Sequence, residues 1–364
     1  MATKKNKKTL TKGGYYDGSN SKKVVDVITI ASKKTVYFYA KKGNDQITIT
    51  KGNRHEVSGD SGKNTINIKK GSYHYIKGGK NADKITIYKG AGKGISVYAN
   101  AGNDTITVKG GTDQLIYGDA GNDKIYFKYG KINIIDGESG NDYIEVKGSN
   151  VKSGSKPVTY ESGSGYLDSD NDIAGGAGKD TILVQAGNNY YIRGDGGNDT
   201  ITVKGGTGHY IVGDAMDRIT MYDKGSDSIT IQNVKNSTVN GKWSNDTITV
   251  NSGCLNNRII GGEGNDTVNL NSGSGEVSFG YGNDTLNVTW SKGLAKYDVY
   301  GEDTNTVKIN NLTADQLKFN QFGDRITVTA NDTALYGSGS IVIQGYQKFG
   351  AGVVCKGNTI KKFS

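Results

Sequence analysis

Short segments in which apolar and polar residues alternate recur along most of the chain. Residues 102–108 read Gly-Asn-Asp-Thr-Ile-Thr-Val, and residues 197–203 repeat the same seven residues. β-Branched residues follow the Asp by two and four positions, which is the period of a half-buried β-strand. Glycines flank each segment and supply turns that need a positive φ. The pattern therefore predicts short strands separated by tight turns.

The Asp before each apolar pair, or the residue that replaces it, returns with a period of about 19 residues. The series is Asp45, Asn64, Asp83, Asp104, Asp123, Asp142, Asp180, Asp199, Asp217, Asp246, Asp266, Asp284, Asn305 and Asp324. A further apolar position follows twelve residues after the Asp, at Val57, Ile76, Ile116, Ile135, Ile192 and Ile211. One period thus contains two strands and two turns, which is too little to bury its own apolar face.

Stacked repeats of this kind form a continuous apolar column. The predicted fold class is all-β, a right-handed parallel β-roll (β-solenoid) of about 19-residue coils with a C-terminal β cap. A basic N-terminal segment is expected at 1–23, the repeats at 24–311 and the cap at 312–364. The repeats contain an insertion loop at 149–172, and an extra half-period around Asp227 lies between Asp217 and Asn245.

Five of the turns before the Asp share Gly at the first and fourth positions and Asp at the sixth. They are residues 118–123, 137–142, 175–180, 194–199 and 261–266. They resemble the Gly-Gly-x-Gly-x-Asp-x-apolar-x nonapeptide of repeats-in-toxin proteins, the hemolysin-type calcium-binding repeat. The resemblance implies a β-roll that binds Ca²⁺ between adjacent turns and folds when calcium is bound.

The chemistry of the turn agrees with a calcium site. Ca²⁺ takes six to eight hard oxygen ligands, glycines let turn carbonyls point inward, and the Asp adds a carboxylate. The expected ligand turns contain Gly118, Gly121, Asp123, Gly137, Gly140, Asp142, Gly175, Gly178, Asp180, Gly194, Gly197, Asp199, Gly261, Gly264 and Asp266, with Asp104 as a further carboxylate. The alternative is a plain turn in which the Asp only caps the backbone.

Degenerate turns are expected to stack without a well-formed ion site. In these, Asn64 or Asn305 replaces the Asp, or Ala82 or Ala99 replaces a glycine. The turns before Asp217 and Asp284 have altered starts and belong to the same group.

A second resemblance covers the end of the repeats. Residues 312–319, 323–328 and 341–346 look like the segment that follows such repeats, and their strands are expected to cap the roll. The family is typically exported by type I secretion through an uncleaved C-terminal signal, which implies an extracellular or cell-surface location. No apolar run is long enough to span a membrane, and no cleaved N-terminal signal peptide is recognisable.

The formal net charge of +9 departs from the acidic balance usual for the resembled family. Lysines that precede glycines are expected at the turn opposite the Asp, at Lys51, Lys70, Lys89, Lys109, Lys147, Lys204 and Lys224. Stacking would align them as a ribbon that docks an anionic cell-envelope polysaccharide, or that only protects a solvated edge. No nucleic acid partner is expected.

Three classes of function remain open. The leading hypothesis is a secreted calcium-binding scaffold with a structural or adhesive role at the bacterial cell surface. A calcium-dependent enzyme with a site in its loops is the second, although no nucleophile, base and oxyanion donor can be assembled from the residues. An ice-binding roll is the third, since Thr pairs such as Thr105 and Thr107 point outward, but Lys124, Tyr126, Tyr143 and Glu145 interrupt them.

Minor features fit a non-catalytic roll. His55, His74 and His209 have no ligand-spaced partners and are expected at the surface. Cys254 and Cys355 form no metal or redox motif. Asp168, Asp170 and Asp172 in the insertion could hold a further cation, although a solvated acidic loop is the expected role.

Overall fold

A computed structural model describes residues 4–148, 171–214, 224–301, 303–345, 353–357 and 359–361. The chain is 54% strand and 2% helix and forms a parallel β-solenoid of about 14 turns. The predicted fold class is thereby confirmed, and the right-handed sense of the coil stays a prediction. Two compact units are present, Met1–Ser155 with Tyr160–Gly187 and Lys156–Thr159 with Asn188–Ser364.

The first unit contains seventeen of the strands. They are β1 Lys4–Leu10, β2 Gly14–Asp17, β3 Val24–Ile30, β4 Val36–Tyr39, β5 Gln46–Ile49, β6 Glu56–Ser58, β7 Thr65–Ile68, β8 Tyr75–Gly79, β9 Lys84–Ile87, β10 Ser96–Asn100, β11 Thr105–Val108, β12 Gln114–Tyr117, β13 Lys124–Phe127, β14 Ile132–Asp136, β15 Tyr143–Val146, β16 Asp172–Ala177 and β17 Thr181–Val184. Odd-numbered strands pair in parallel in one sheet, and even-numbered strands pair in parallel in the other.

The described residues of the second unit form nineteen strands, and their parallel pairing does not follow odd and even numbers throughout. Its strands are β18 Tyr191–Gly196, β19 Thr200–Val203, β20 Gly206–Thr207, β21 Tyr210–Val212, β22 Ser228–Ile231, β23 Val234–Lys235, β24 Thr238–Trp243, β25 Thr247–Val250, β26 Asn257–Glu263, β27 Thr267–Leu270, β28 Gly273–Ser278, β29 Thr285–Val288, β30 Leu294–Tyr300, β31 Thr306–Ile309, β32 Leu317–Phe322, β33 Arg325–Ala330, β34 Ser340–Gln344, β35 Val353–Cys355 and β36 Thr359–Lys361. A 3₁₀ helix, Ala314–Gln316, and one helical turn, α1 Thr333–Tyr336, lie near its end.

Strand register places the repeated apolar positions on top of one another. Ile106 pairs with Ile85 on one side and with Ile125 on the other, and all three side chains are fully buried. The positions four and twelve residues after the Asp behave in the same way, as at Val108 and Ile116. Burying such a side chain contributes about 1.5–3 kcal/mol, so the apolar column stabilises each coil.

The extra half-period in the second unit changes one predicted alignment. Strand β22, which follows Asp227, pairs in register with β19 and with β25. Asp227 therefore holds the position in the stack that the sequence assigned to Asp217, and Asp217 itself lies outside the described residues. Asp324 was also wrongly aligned, because it is exposed in the turn between β32 and β33.

Both chain ends depart from the plain repeat. Strand β1 lies within the basic segment at 1–23 and pairs with β3, so a coil already forms there. At the other end β32, β33 and β34 pair antiparallel, and β34 joins β30 in parallel. That arrangement agrees with a cap at 312–364, and the domain division itself stays a prediction. The insertion lies outside the described residues up to residue 170, including Asp168 and Asp170, and Asp172 begins β16.

Candidate functional site: the aspartate turns

The Asp at the end of each Asp turn, such as Asp104 before β11 and Asp123 before β13, is buried and bonded to the neighbouring coil. In each pair, the backbone N–H of one Asp donates to Oδ1 of the Asp one coil further along the chain. Asp104 N lies 2.6 Å from Asp123 Oδ1, and Asp123 N lies 2.6 Å from Asp142 Oδ1. In the second unit the same bond joins Asp227 N to Asp246 Oδ1 at 2.8 Å. One carboxylate oxygen of each Asp is thus used to align the coils.

At nine of these positions the other carboxylate oxygen, Oδ2, is buried and has no donor among the described residues. The described residues supply no hydrogen-bond partner for Oδ2 of Asp45, Asp83, Asp104, Asp123, Asp142, Asp227, Asp246, Asp266 and Asp284. An ionised carboxylate oxygen buried in this way is costly unless a cation or a donor meets it. These oxygens are the strongest indication that the turns take a positively charged ligand.

Burial raises the pKa of these carboxyl groups, as expected for a column of acids with no positive charge beside it. Loss of hydration raises the pKa of Asp123 from 3.8 to about 6 and that of Asp142 to about 8. The same cause raises the pKa of Asp246 to about 9, with further contributions from Asp227 and Asp266. Hydrogen bonds from the preceding coil lower these values without offsetting the burial.

In several turns the first glycine lies directly beside the Oδ2 atom of the Asp that ends the turn. A Cβ added to Gly118 would lie 2.6 Å from Asp123 Oδ2 and 2.8 Å from the carbonyl oxygen of Gly137. At Gly137 the corresponding atoms are Asp142 Oδ2 and the Gly175 carbonyl oxygen, each at 2.3 Å. A carboxylate of one coil and a carbonyl of the next therefore converge on the space that the missing side chain leaves.

Two more of the predicted turns place their first glycine beside the Asp Oδ2 atom. Gly194 faces Asp199 Oδ2, and Gly261 faces Asp266 Oδ2. Three turns depart from it, because Ala40, Ala99 and Phe279 are buried at the first position of the turns that end at Asp45, Asp104 and Asp284.

The fourth glycine is required for a different reason. Gly121 has φ of 138°, and a Cβ there would lie 1.8 Å from the carbonyl oxygen of Gly102 in the preceding coil. Gly140, Gly178 and Gly264 have φ of 131°, 141° and 132° and meet a carbonyl in the same way. Gly197 shares the positive φ, at 111°. Any side chain at this position would collide with the carbonyl that it stacks upon.

The Asn at the fifth position has a role that sequence reasoning missed. Asn103 Oδ1 accepts from Asn122 N at 3.0 Å, and Asn122 Oδ1 accepts from Asn141 N at 2.8 Å. These bonds run from the later coil to the earlier one, opposite in direction to those of the Asp column. The recurring pair Asn-Asp therefore ties each turn to both of its neighbours, and its recurrence was the signal.

Calcium fits this set of donors. The converging atoms are carboxylate and carbonyl oxygens, which are hard ligands that Ca²⁺ prefers. Among the described ranges, no three His, Cys, Asp or Glu side chains are grouped so that they could hold a metal ion. The carboxylate would therefore supply the charge in each turn, and the backbone carbonyls would supply further ligands.

A sequence profile of the RTX calcium-binding nonapeptide repeat (4 copies) matches residues 96–115, 130–148, 167–201, 175–209, 240–277 and 255–286. The matched segments are hemolysin-type calcium-binding repeats, which confirms the resemblance seen in the sequence. The matched ranges include the turns that end at Asp104, Asp142, Asp180, Asp199 and Asp266, but not the turn that ends at Asp123. A search of the curated proteins finds no match. The RTX repeats cover less than half of the chain by this profile, and the structure places similar turns outside them.

The histidines are not at the surface, and that prediction was wrong. His55, His74 and His209 are at most 2% exposed. His74 Nδ1 accepts from His55 N at 3.1 Å, and its Nε2 lies 3.1 Å from the Lys70 carbonyl oxygen. Burial lowers the pKa of His74 and of His209 to about 4. Each is a neutral ring that links two coils at the turn opposite the Asp.

The lysines form a shorter surface than the sequence indicated. Lys69, Tyr88, Lys109, Lys128 and Lys147 follow successive strands of one sheet, and each backbone N–H donates to the preceding coil. Lys51, Lys70 and Lys89 come one residue later in their turns. Lys224 was misplaced, because it precedes Asp227 and lies at the Asp turn, where Gly225 N donates to Asp214 Oδ1.

In the second unit the same register position is held after Lys204 by Gln232, Asn251, Asn271, Thr289 and Asn310. The positive edge therefore belongs to the first unit. The described residues contain no helix long and apolar enough to cross a membrane.

Proposed function

We propose that the protein is a secreted scaffold at the bacterial cell surface, with a structural or adhesive role, whose coils are ordered by calcium. The observation that carries the proposal is the column of buried Asp Oδ2 atoms, which at Asp83, Asp123, Asp142, Asp227 and Asp246 share the space beside a glycine with a carbonyl of the next coil. A cation between coils would satisfy both atoms and would couple binding to folding. The absence of an enzymatic role is part of the proposal.

The test is a calcium titration of the full chain followed by far-ultraviolet circular dichroism. Without calcium at neutral pH the chain should lack β-structure, and Ca²⁺ should induce it cooperatively. Mg²⁺ is the matched control, since its smaller octahedral shell suits a turn of carbonyls less well. A full β spectrum in excess chelator that calcium leaves unchanged would refute the role of calcium. Recovery of the protein only inside the cell would refute its export.

A second candidate function rests on the lysine edge of the first unit. We define the lysine ridge as Lys51, Lys69, Lys70, Lys89, Lys109, Lys128 and Lys147. Strand spacing brings successive members about 4.8 Å apart per coil, well inside the screening length of about 8 Å at physiological salt. Tyr88 separates two of them, with the ammonium groups of Lys69 and Lys109 at 6.0 and 4.9 Å from its ring centre. The ridge is suited to an anionic polysaccharide of the cell envelope.

Binding to an anionic and a neutral polysaccharide, hyaluronate and dextran, tests this role with calcium held constant. A variant with Lys51, Lys70, Lys89 and Lys109 changed to Gln should lose salt-sensitive retention on hyaluronate. The control changes Lys84, Lys124, Lys296 and Lys308 to Gln, since these are exposed lysines outside the ridge. Equal retention of the ridge variant and the parent at low salt would show that the ridge is only a solvated edge.

A further inference from the structure

Among the described residues, two buried positions of the Asp column hold Asn in place of Asp. Asn64 lies in the first unit and Asn305 in the second, and both are buried. Their Oδ1 atoms accept the same hydrogen bond from the preceding coil that the Asp Oδ1 atoms accept. Asn64 Oδ1 accepts from Asp45 N at 2.9 Å, and Asn305 Oδ1 accepts from Asp284 N at 2.9 Å. The bond that aligns the coils is therefore retained.

The remaining polar atom of the side chain is a hydrogen-bond donor in Asn and an acceptor in ionised Asp. Asn64 Nδ2 donates to the Gly62 carbonyl oxygen at 2.9 Å, and Asn305 Nδ2 donates to the Asp303 carbonyl oxygen at 3.2 Å. In both coils the acceptor lies two residues before the Asn. A Cβ on Gly59 would lie 2.6 Å from Asn64 Nδ2, as the corresponding point at Gly118 lies 2.6 Å from Asp123 Oδ2. The amide nitrogen thus occupies the place of the unpartnered carboxylate oxygen.

We propose that Asn64 and Asn305 close their turns to calcium, because the carboxamide makes within the turn the contact that requires a cation at an Asp. An Asp turn presents a carboxylate oxygen and carbonyl oxygens, all acceptors, to the same space, and a divalent cation satisfies them together. An Asn turn brings its own N–H donor and no charge. These two coils stay stacked without the ion, while their Asp neighbours depend on it.

This inference rests on the proposed calcium dependence and names the residue that decides which turns bind. It predicts that an Asn-to-Asp substitution and an Asp-to-Asn substitution have opposite effects on calcium binding. Asn64→Asp should add a calcium ion to the chain and raise the calcium concentration needed for full folding. Asp123→Asn should remove an ion and lower that requirement. Asp123→Ala is the matched control, because it removes the charge without supplying either the Oδ1 acceptor or the Nδ2 donor.

The experiment measures bound calcium per full-length chain by equilibrium dialysis, and the calcium midpoint of folding by circular dichroism. Support is one more ion for Asn64→Asp, together with a lower midpoint for Asp123→Asn than for the parent and for Asp123→Ala. If the parent binds calcium but Asn64→Asp binds no more, the inference is overturned while the proposed function stands. Equal calcium midpoints for Asp123→Asn and Asp123→Ala also overturn the inference. If Asn64→Asp does not fold, this comparison of midpoints tests the inference by itself. A parent that binds no calcium refutes the proposed function itself.

Discussion

Acid should partly replace calcium in ordering the coils. Protonation turns an Asp Oδ2 into a donor, so that it could meet a turn carbonyl as the Asn64 amide does. In excess chelator the chain should therefore be disordered at pH 7.5 and should regain β-structure near pH 5.

The magnitude follows from the raised pKa values of the first unit. The pKa is about 6 for Asp45 and Asp123, about 7 for Asp83 and Asp104, and about 8 for Asp142. A folded-state pKa above the unfolded value gives stability that is complete below about pH 4 and is lost as the pH rises through the folded value. At about 1.4 kcal/mol per pKa unit, going from pH 7 to pH 5 returns on the order of 10 kcal/mol, comparable to the total stability of a domain.

The buried histidines set the lower limit of this window. The pKa of His74 is lowered from 6.5 to about 4 by burial, so its contribution is present above pH 6.5 and is lost as the pH falls through about 4. At pH 5 this costs about 2 kcal/mol, much less than the carboxylates return. The β-structure of the calcium-free chain should thus be greatest between about pH 4 and pH 6.

The assay is circular dichroism against pH in chelator, with thermal unfolding at each pH. The calcium-saturated chain at pH 7.5 is the reference for the folded spectrum. A calcium-free chain that is equally disordered at pH 5 and pH 7.5 would refute the reasoning, as would one that is fully folded at pH 7.5.

Three further predictions concern single residues. The calcium midpoint of folding should rise in each of three variants, Asp123→Ala, Asp199→Ala and Asp266→Ala. In contrast, Asn305→Ala should lower the stability of the fold by about 1–3 kcal/mol through its lost hydrogen bonds, and should leave the amount of bound calcium unchanged in equilibrium dialysis. Gly118→Ala should weaken calcium binding because its methyl group would crowd Asp123 Oδ2, while Ala99→Gly should strengthen binding at Asp104, and no difference by calorimetric titration would contradict the role of the first glycine. His74→Ala leaves the buried His55 N–H without its acceptor, so the calcium-saturated chain should lose about 1–3 kcal/mol in denaturant unfolding, and an unchanged midpoint would show that the bond is dispensable.

The sequence was enough to predict the stacked strands because one spacing repeats. Once Asp104 and Asp123 are aligned, period-two alternation places Ile106 and Ile125 inward, and stacking them needs no further information. The glycines of the turn were likewise identified by their fixed offsets from the Asp. The hydrogen bond from Asn64 Nδ2 to the Gly62 carbonyl oxygen could not be predicted, because the sequence does not say which atom of the side-chain amide faces that carbonyl.

The histidines show where residue type misled the reasoning. His55, His74 and His209 each stand two residues before an inward position, at Val57, Ile76 and Ile211. The period-two alternation therefore indicates that the histidines lie on the buried face. The prediction that they lie at the surface rested on the polarity of their side chains alone. The shift from Asp217 to Asp227 has another cause, since both are followed by apolar residues two and four positions later. Only the pairing of β22 with its neighbours separates them.

The hydrogen bonds between coils have a mechanical consequence within each unit. Asp Oδ1 bonds, Asn Oδ1 bonds and the sheet bonds all join one coil to the next. Under tension along the direction of stacking, these interfaces would carry load in series, so that a unit yields first at its weakest interface. A single Asp turn that loses its ion would then set the rupture force, however well its neighbours are held. Calcium affinity at the poorest turn, more than the mean over all turns, should limit the strength of the stack.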